Sequence, residues 1–125
     1  MARIFLFIAA LLGGFAVAGG AFAAHALKAK LSERAIDIFE TGTRYQIYHS
    51  LALLVVALLL SRAEAAQSML VTAGLAFIVG IALFSGSLYA MSLTGMKWAG
   101  AIAPFGGVAF ILGWGCLAIA AWNFK

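Results

Sequence analysis

Charge is what this 125-residue chain has least of. Only 10% of its residues are Asp, Glu, Lys or Arg, and the net charge of +4 comes from eight basic and four acidic side chains. The basic residues flank apolar runs and never gather into a basic or basic-aromatic patch, which excludes nucleic-acid binding. No Asp or Glu falls inside an apolar run, so the usual carboxylate relay of a proton pump is missing. Cys116 is the only cysteine, so no internal disulfide is possible, and it reads as a small core residue. No nucleophile elbow, c-type haem attachment motif or phosphate-loop lysine is present. Ser85-Gly86-Ser87 is too short to be a catalytic signature. Enzymatic activity is not expected, and no cofactor is implied.

The remainder is apolar. Two-thirds of the chain is hydrophobic, in four stretches at about 4–27, 45–61, 69–93 and 98–124. Each is near or above the roughly 20 residues a helix needs to cross a hydrocarbon layer about 30 Å thick. Backbone groups in lipid must be satisfied within their own segment, which helices do and four short strands cannot. The expected fold is therefore an all-α, antiparallel four-transmembrane-helix bundle in one domain, 1–125, with the lipid bilayer as its first partner. The first run follows Arg3 and contains a signal-like Ala21-Phe22-Ala23. It is longer than the roughly 7–15 residues of a secretory core, so it reads as an uncleaved first crossing.

Residues 32–41 read as a short amphipathic interfacial helix between the first two crossings. Ser32 is a good N-cap, and Leu31, Ala35, Ile38 and Phe39 share a face. Thr41-Gly42-Thr43 is read as its end, with Gly42 in a left-handed cap. Small residues recur at four-residue spacing in Ala10/Gly14/Ala18, Ala16/Gly20/Ala24, Ala82/Gly86/Ala90, Ala103/Gly107 and Ala109/Gly113. Such grooves let helices approach closely in lipid. Basic residues of the first and third links (Lys28, Lys30, Arg34, Arg44, Lys97) outnumber those on the other side (Arg3, Arg62, Lys125), which places the first link in the cytoplasm. The signal-like start points the other way.

The polar side chains of the crossings are not scattered. Antiparallel connectivity puts His25, then Tyr45, Gln46 and His49, then Ser85, Ser87 and Tyr89, in the same half of the membrane. Pro104 lies there too, and by removing a donor it frees a carbonyl near Gly100. Polar groups at that depth must face the bundle and find partners. These residues form the candidate site. It reads either as a lock of interhelical hydrogen bonds or as a pocket for a small ligand, lipid, metal or haem, or for transport. His25 and His49 on facing helices are the pair that haem would need.

Four segments together resemble a known family. They are Gly20-Ala21-Phe22-Ala23-Ala24-His25-Ala26-Leu27, Phe39-Glu40-Thr41-Gly42-Thr43-Arg44-Tyr45-Gln46-Ile47-Tyr48-His49, Leu83-Phe84-Ser85-Gly86-Ser87-Leu88-Tyr89 with Leu93-Thr94-Gly95, and Pro104-Phe105-Gly106-Gly107 with Gly113-Trp114. Across essentially the whole chain this is similar to the small four-span bacterial membrane proteins of unknown function that also include animal transmembrane protein 256. The chain departs at Ala23 and Ala26, where the family more often carries glycine. The resemblance implies a multi-pass protein of the bacterial cytoplasmic (inner) membrane and brings no reaction, substrate or cofactor. With its size and small-residue grooves, the chain is expected to be a non-enzymatic accessory or assembly subunit of a membrane complex. Other membrane subunits or copies of itself would be its protein partners.

Overall fold

A computed structural model describes all residues, Met1–Lys125. The helices are α1 (Ala2–His25), α2 (Glu33–Arg62), α3 (Gln67–Gly80), α4 (Gly86–Thr94) and α5 (Ala103–Trp122). One π-helical segment, Ile81–Ser85, joins α3 to α4 into a single crossing, and a 3₁₀ segment, Lys97–Ala101, leads into α5. Four helical stretches are long and apolar enough to cross a membrane: Ala2–Ala29, Glu33–Arg62, Gln67–Thr94 and Lys97–Trp122. The all-α four-helix membrane bundle is thus what the chain forms.

The link between the first two crossings differs from expectation. Ser32 does cap the helix, its Oγ accepting from Ala35 N at 3.2 Å. But α2 then runs unbroken for 30 residues, about 45 Å at 1.5 Å per residue, well beyond the ~30 Å of a hydrocarbon core. There is no separate interfacial helix at 32–41; those residues are the polar extension of the second crossing. Thr41 and Thr43 do not stop the helix, because their hydroxyls donate back to the Asp37 and Glu40 carbonyls of the same helix. Gly42 keeps a helical φ; only Ala66 and Gly95 have positive φ. It is glycine because Tyr89 lies against it: an added Cβ would come 2.7 Å from Tyr89 Cε1. Phe39, from the apolar face of this extension, is buried with Ala23 and Leu27 at the end of α1.

α2 and the α3–α4 crossing form the central pair, with α1 packed along α2 and α5 packed along α3. The seams are glycines receiving aromatic rings. Phe5 of α1 sits over Gly74, Phe110 of α5 over Gly80, and Phe77 over Gly113, while Gly106 meets the backbone of Phe84. The last three pairs step along α5 in reverse order, as antiparallel helices require. Ring and glycine alternate between the two helices, so Phe110 and Phe77 fill the holes that Gly80 and Gly113 leave. Phe5 and Phe77 are almost completely buried.

Several expected grooves face outward instead. Ala10, Gly14 and Ala18 are exposed, as are Ala82 and Gly86. Of Ala16/Gly20/Ala24 only Ala16 is buried. α1 meets α2 through Ala9, Gly13, Ala16, Gly19 and Ala23, one position round the helix from the Ala10/Gly14/Ala18 groove. These helices carry small residues in more than one frame, and the frame opposite a large partner side chain is the buried one. Ala23, fully buried, fits as alanine. On α5, Ala103 and Gly113 are buried, but Gly107 and Ala109, the other members of the two expected grooves, are only partly so. Pro104 lies in the first turn of α5, where no backbone donor is needed, so it starts a helix and does not free a carbonyl within one.

Candidate functional site: a polar lock centred on the second crossing

α2 supplies the centre. The side chain of Gln46, 6% exposed, bonds in two directions. Its Nε2 donates to the Leu12 carbonyl of α1 at 2.8 Å, and its Oε1 accepts from the Tyr89 hydroxyl of α4 at 2.6 Å. One turn earlier, Ser85 Oγ of the π segment donates to the Gly42 carbonyl at 2.7 Å. Tyr89 packs on Phe39 as well, with ring centroids 4.9 Å apart.

His49 ties α2 to the fourth crossing. Its Nδ1 is 2.8 Å from the Tyr45 carbonyl, and its Nε2 is 3.1 Å from Trp114 Nε1. The indole nitrogen can only donate, so Nε2 accepts and Nδ1 carries the hydrogen given to Tyr45. That is the neutral imidazole in a single tautomer. The ring is stacked on Phe110 at a centroid distance of 3.6 Å and tilted against Phe77 at 5.5 Å. Both nitrogens have partners and both sides are packed by aromatic rings.

The structure thus brings together Gln46, His49, Ser85 and Tyr89 from the predicted set, with Tyr45 at the edge. Tyr45 is 39% exposed and lays its ring against Phe84, 4.8 Å between centroids. Ser87 is buried, but its hydroxyl donates to the Phe84 carbonyl of its own helix and joins no other crossing. His25 is not in the cluster: it is exposed at the last residue of α1. The facing pair of imidazoles expected for haem is therefore absent, because α1 turns its small residues, and not His25, toward α2. No three His, Cys, Asp or Glu side chains come together in a metal-holding group.

Trp114 was the residue missed. Counting from the ends of the apolar runs puts it in the opposite half of the membrane from His49. Yet the bond between them puts both at one level: α2 already packs on its neighbours from Phe39 and Gly42, well before the apolar run starts at 45, and His49 lies about two to three turns further in. The available signal was an indole N–H within an apolar span, a donor that needs an acceptor.

No buried side-chain nitrogen or oxygen lacks a hydrogen-bond partner. None of the molecule's clefts is lined by Gln46, His49, Ser85 or Tyr89. Interhelical bonds of this kind contribute about 0.6 kcal/mol on average and up to roughly 1.7. Replacing His49 by alanine should lower bundle stability by about 1–3 kcal/mol, from two lost bonds and a void beside Phe110. His25→Ala should change it by less than roughly 0.5 kcal/mol. Unfolding in mixed SDS–detergent micelles measures both, and equal effects would contradict this placement of the two histidines.

The family model described as "Protein of unknown function (DUF423)" matches residues 19–107, from the end of α1 into α5. That range contains every predicted site residue. The chain belongs to this family. It is 42% identical to the UPF0382 membrane protein YwdK of Bacillus subtilis over 119 residues, 95% of this chain and 96% of that one. A UPF0382 membrane protein of Staphylococcus epidermidis is 43% identical over 122 residues, 98% of each chain. One from Haemophilus influenzae is 38% identical over 125 residues, covering 100% of this chain and 98% of its own. No solved structure matches. This DUF423 protein is accordingly a multi-pass membrane protein, of the kind found in these bacteria, whose family has no assigned activity.

Proposed function

We propose that this protein is a non-enzymatic accessory or assembly subunit of a membrane complex, a compact helical scaffold whose work is to pack against other membrane proteins. The observation that carries this reading is the complete engagement of the buried polar groups. A transporter or ligand pocket needs polar atoms facing a space, whereas these bond to neighbouring helices or to their own backbone. A serine hydrolase needs a base beside its nucleophile. Here the His49 Nε2 is held by Trp114, while Ser85 and Ser87 donate to backbone carbonyls. The outer helices α1 and α5 meanwhile leave Phe7, Phe15, Val17, Ile111 and Leu112 exposed along their lengths. Lipid covers such side chains equally well, so the partner test is direct. A tagged copy expressed from its own locus is extracted in mild detergent and its membrane co-isolates are quantified. A reproducible, stoichiometric membrane partner is expected; a solitary monomer or homo-oligomer overturns the reading.

A further inference from the structure

The largest cleft of the molecule, about 510 Å³, lies away from the polar lock, between the first turns of α2 and the end of α4 with the segment that follows. That volume falls within the roughly 300–1,000 Å³ usual for small-molecule sites. Arg34 and Lys97 line it from separate elements, with Ser32 beside them, and no carboxylate is among the lining residues. Ile38, about one turn into α2 from Arg34, and Met91, about one turn back into α4 from Gly95, also line it. A polar, cationic mouth thus opens over an apolar wall.

Its position sets the ligand chemistry. The cleft sits where one of the membrane-crossing stretches ends and two others begin, and Trp98, next to Lys97, is 65% exposed, as befits a side chain at the headgroup level. Ser32 caps the Ala35 N–H, and this end of α2 is the helix's electropositive end. We propose that the cleft binds the phosphodiester headgroup of an anionic phospholipid, held by Arg34 and Lys97, with the acyl chains passing Ile38 and Met91. Glu33 and Asp37 do not compete inside it; they border a neighbouring shallow groove that shares Arg34 but not Lys97. Lys97 is therefore the cation most dedicated to the site.

The test uses the delipidated full-length protein in detergent. Phosphatidylglycerol or phosphatidylcholine with matched acyl chains is added, and retained lipid is counted by native mass spectrometry. The wild type should retain phosphatidylglycerol in preference, and Arg34→Gln/Lys97→Gln should lose that preference by about tenfold. The charge-preserving pair Arg34→Lys/Lys97→Arg should keep it, as should Lys28→Gln/Lys30→Gln, which removes equal charge nearby. Absence of any preference in the wild type overturns the proposal. So does an equal loss in the Lys28/Lys30 pair, which would leave only diffuse charge attraction. Displacement of the lipid by millimolar inorganic phosphate would also overturn it, assigning the cleft to free anions.

Discussion

Gly106→Leu should leave no folded bundle, and Gly106→Ala alone should destabilise it by about 3 kcal/mol or more, at or beyond the upper end of ordinary overpacking. A Cβ at this position would run into the backbone nitrogen of Phe84 and come 2.7 Å from its Cβ. The other tight glycines face side chains. Gly74 meets the ring of Phe5, Gly80 that of Phe110 and Gly113 that of Phe77, and a ring can turn or slide. Backbone can retreat only if its whole helix does. Phe84 belongs to the π segment, and its neighbour Ser85 is anchored to the Gly42 carbonyl of α2. Moving the segment away from α5 would therefore push it against a helix to which it is already bonded. Gly107, one residue on, has nothing within 4 Å of its added Cβ. There the alanine substitution should be neutral, or stabilising by up to roughly 1 kcal/mol from helix propensity. Unfolding of the two variants in SDS–detergent mixtures gives the comparison. A Gly106→Ala protein as stable as Gly107→Ala would mean that α5 does not approach the third crossing at this distance.

That contrast between adjacent glycines also marks what was legible in the sequence. The number of crossings follows from length and hydropathy, and the grouping of Tyr45, Gln46, His49, Ser85 and Tyr89 follows from alternating direction. Both depend only on position along a helix. Rotation about the helix axis is a different matter. A soluble helix shows its buried face by polarity, but α1 and α5 are apolar all round, with lipid on one side and protein on the other. Ala10/Gly14/Ala18 and Ala9/Gly13/Ala16 are equivalent grooves until the side chains of α2 choose between them. His25 was misplaced for the same reason. Gly42 was misread because glycine ends helices and also admits close neighbours, and only the position of Tyr89 distinguishes the two uses. Depth failed where a crossing extended beyond its apolar run, and that error separated His49 from Trp114.

Gln46→Leu should lower bundle stability by about 1–3 kcal/mol, as much as loss of the His49 side chain, because this one side chain joins three crossings. Each of its two bonds, to Leu12 O and from Tyr89 Oη, is of the interhelical type that contributes roughly 0.6–1.7 kcal/mol. The two ends are not equivalent. The Leu12 carbonyl lies within α1 and keeps its helical partner, so losing Gln46 removes a bond and leaves no orphan. Tyr89 is half-buried between Phe39 and Gly42, and its hydroxyl loses its acceptor in a site shaped around it. Leaving a buried donor unpaired is more damaging than losing the bond itself. It follows that removing the hydroxyl as well should restore part of the stability: Gln46→Leu/Tyr89→Phe should be more stable than Gln46→Leu alone, with a coupling of at least about 0.5 kcal/mol. The phenylalanine ring keeps the contacts over Gly42, so packing is not the variable. Simple addition of the two single losses would show that Tyr89 finds water or lipid headgroup in place of Gln46, and that the lock is open toward the membrane face. Non-additivity would fix Gln46 as the bond that holds α1 and α4 to the same helix, and hence as the reason a glutamine is placed in an apolar crossing.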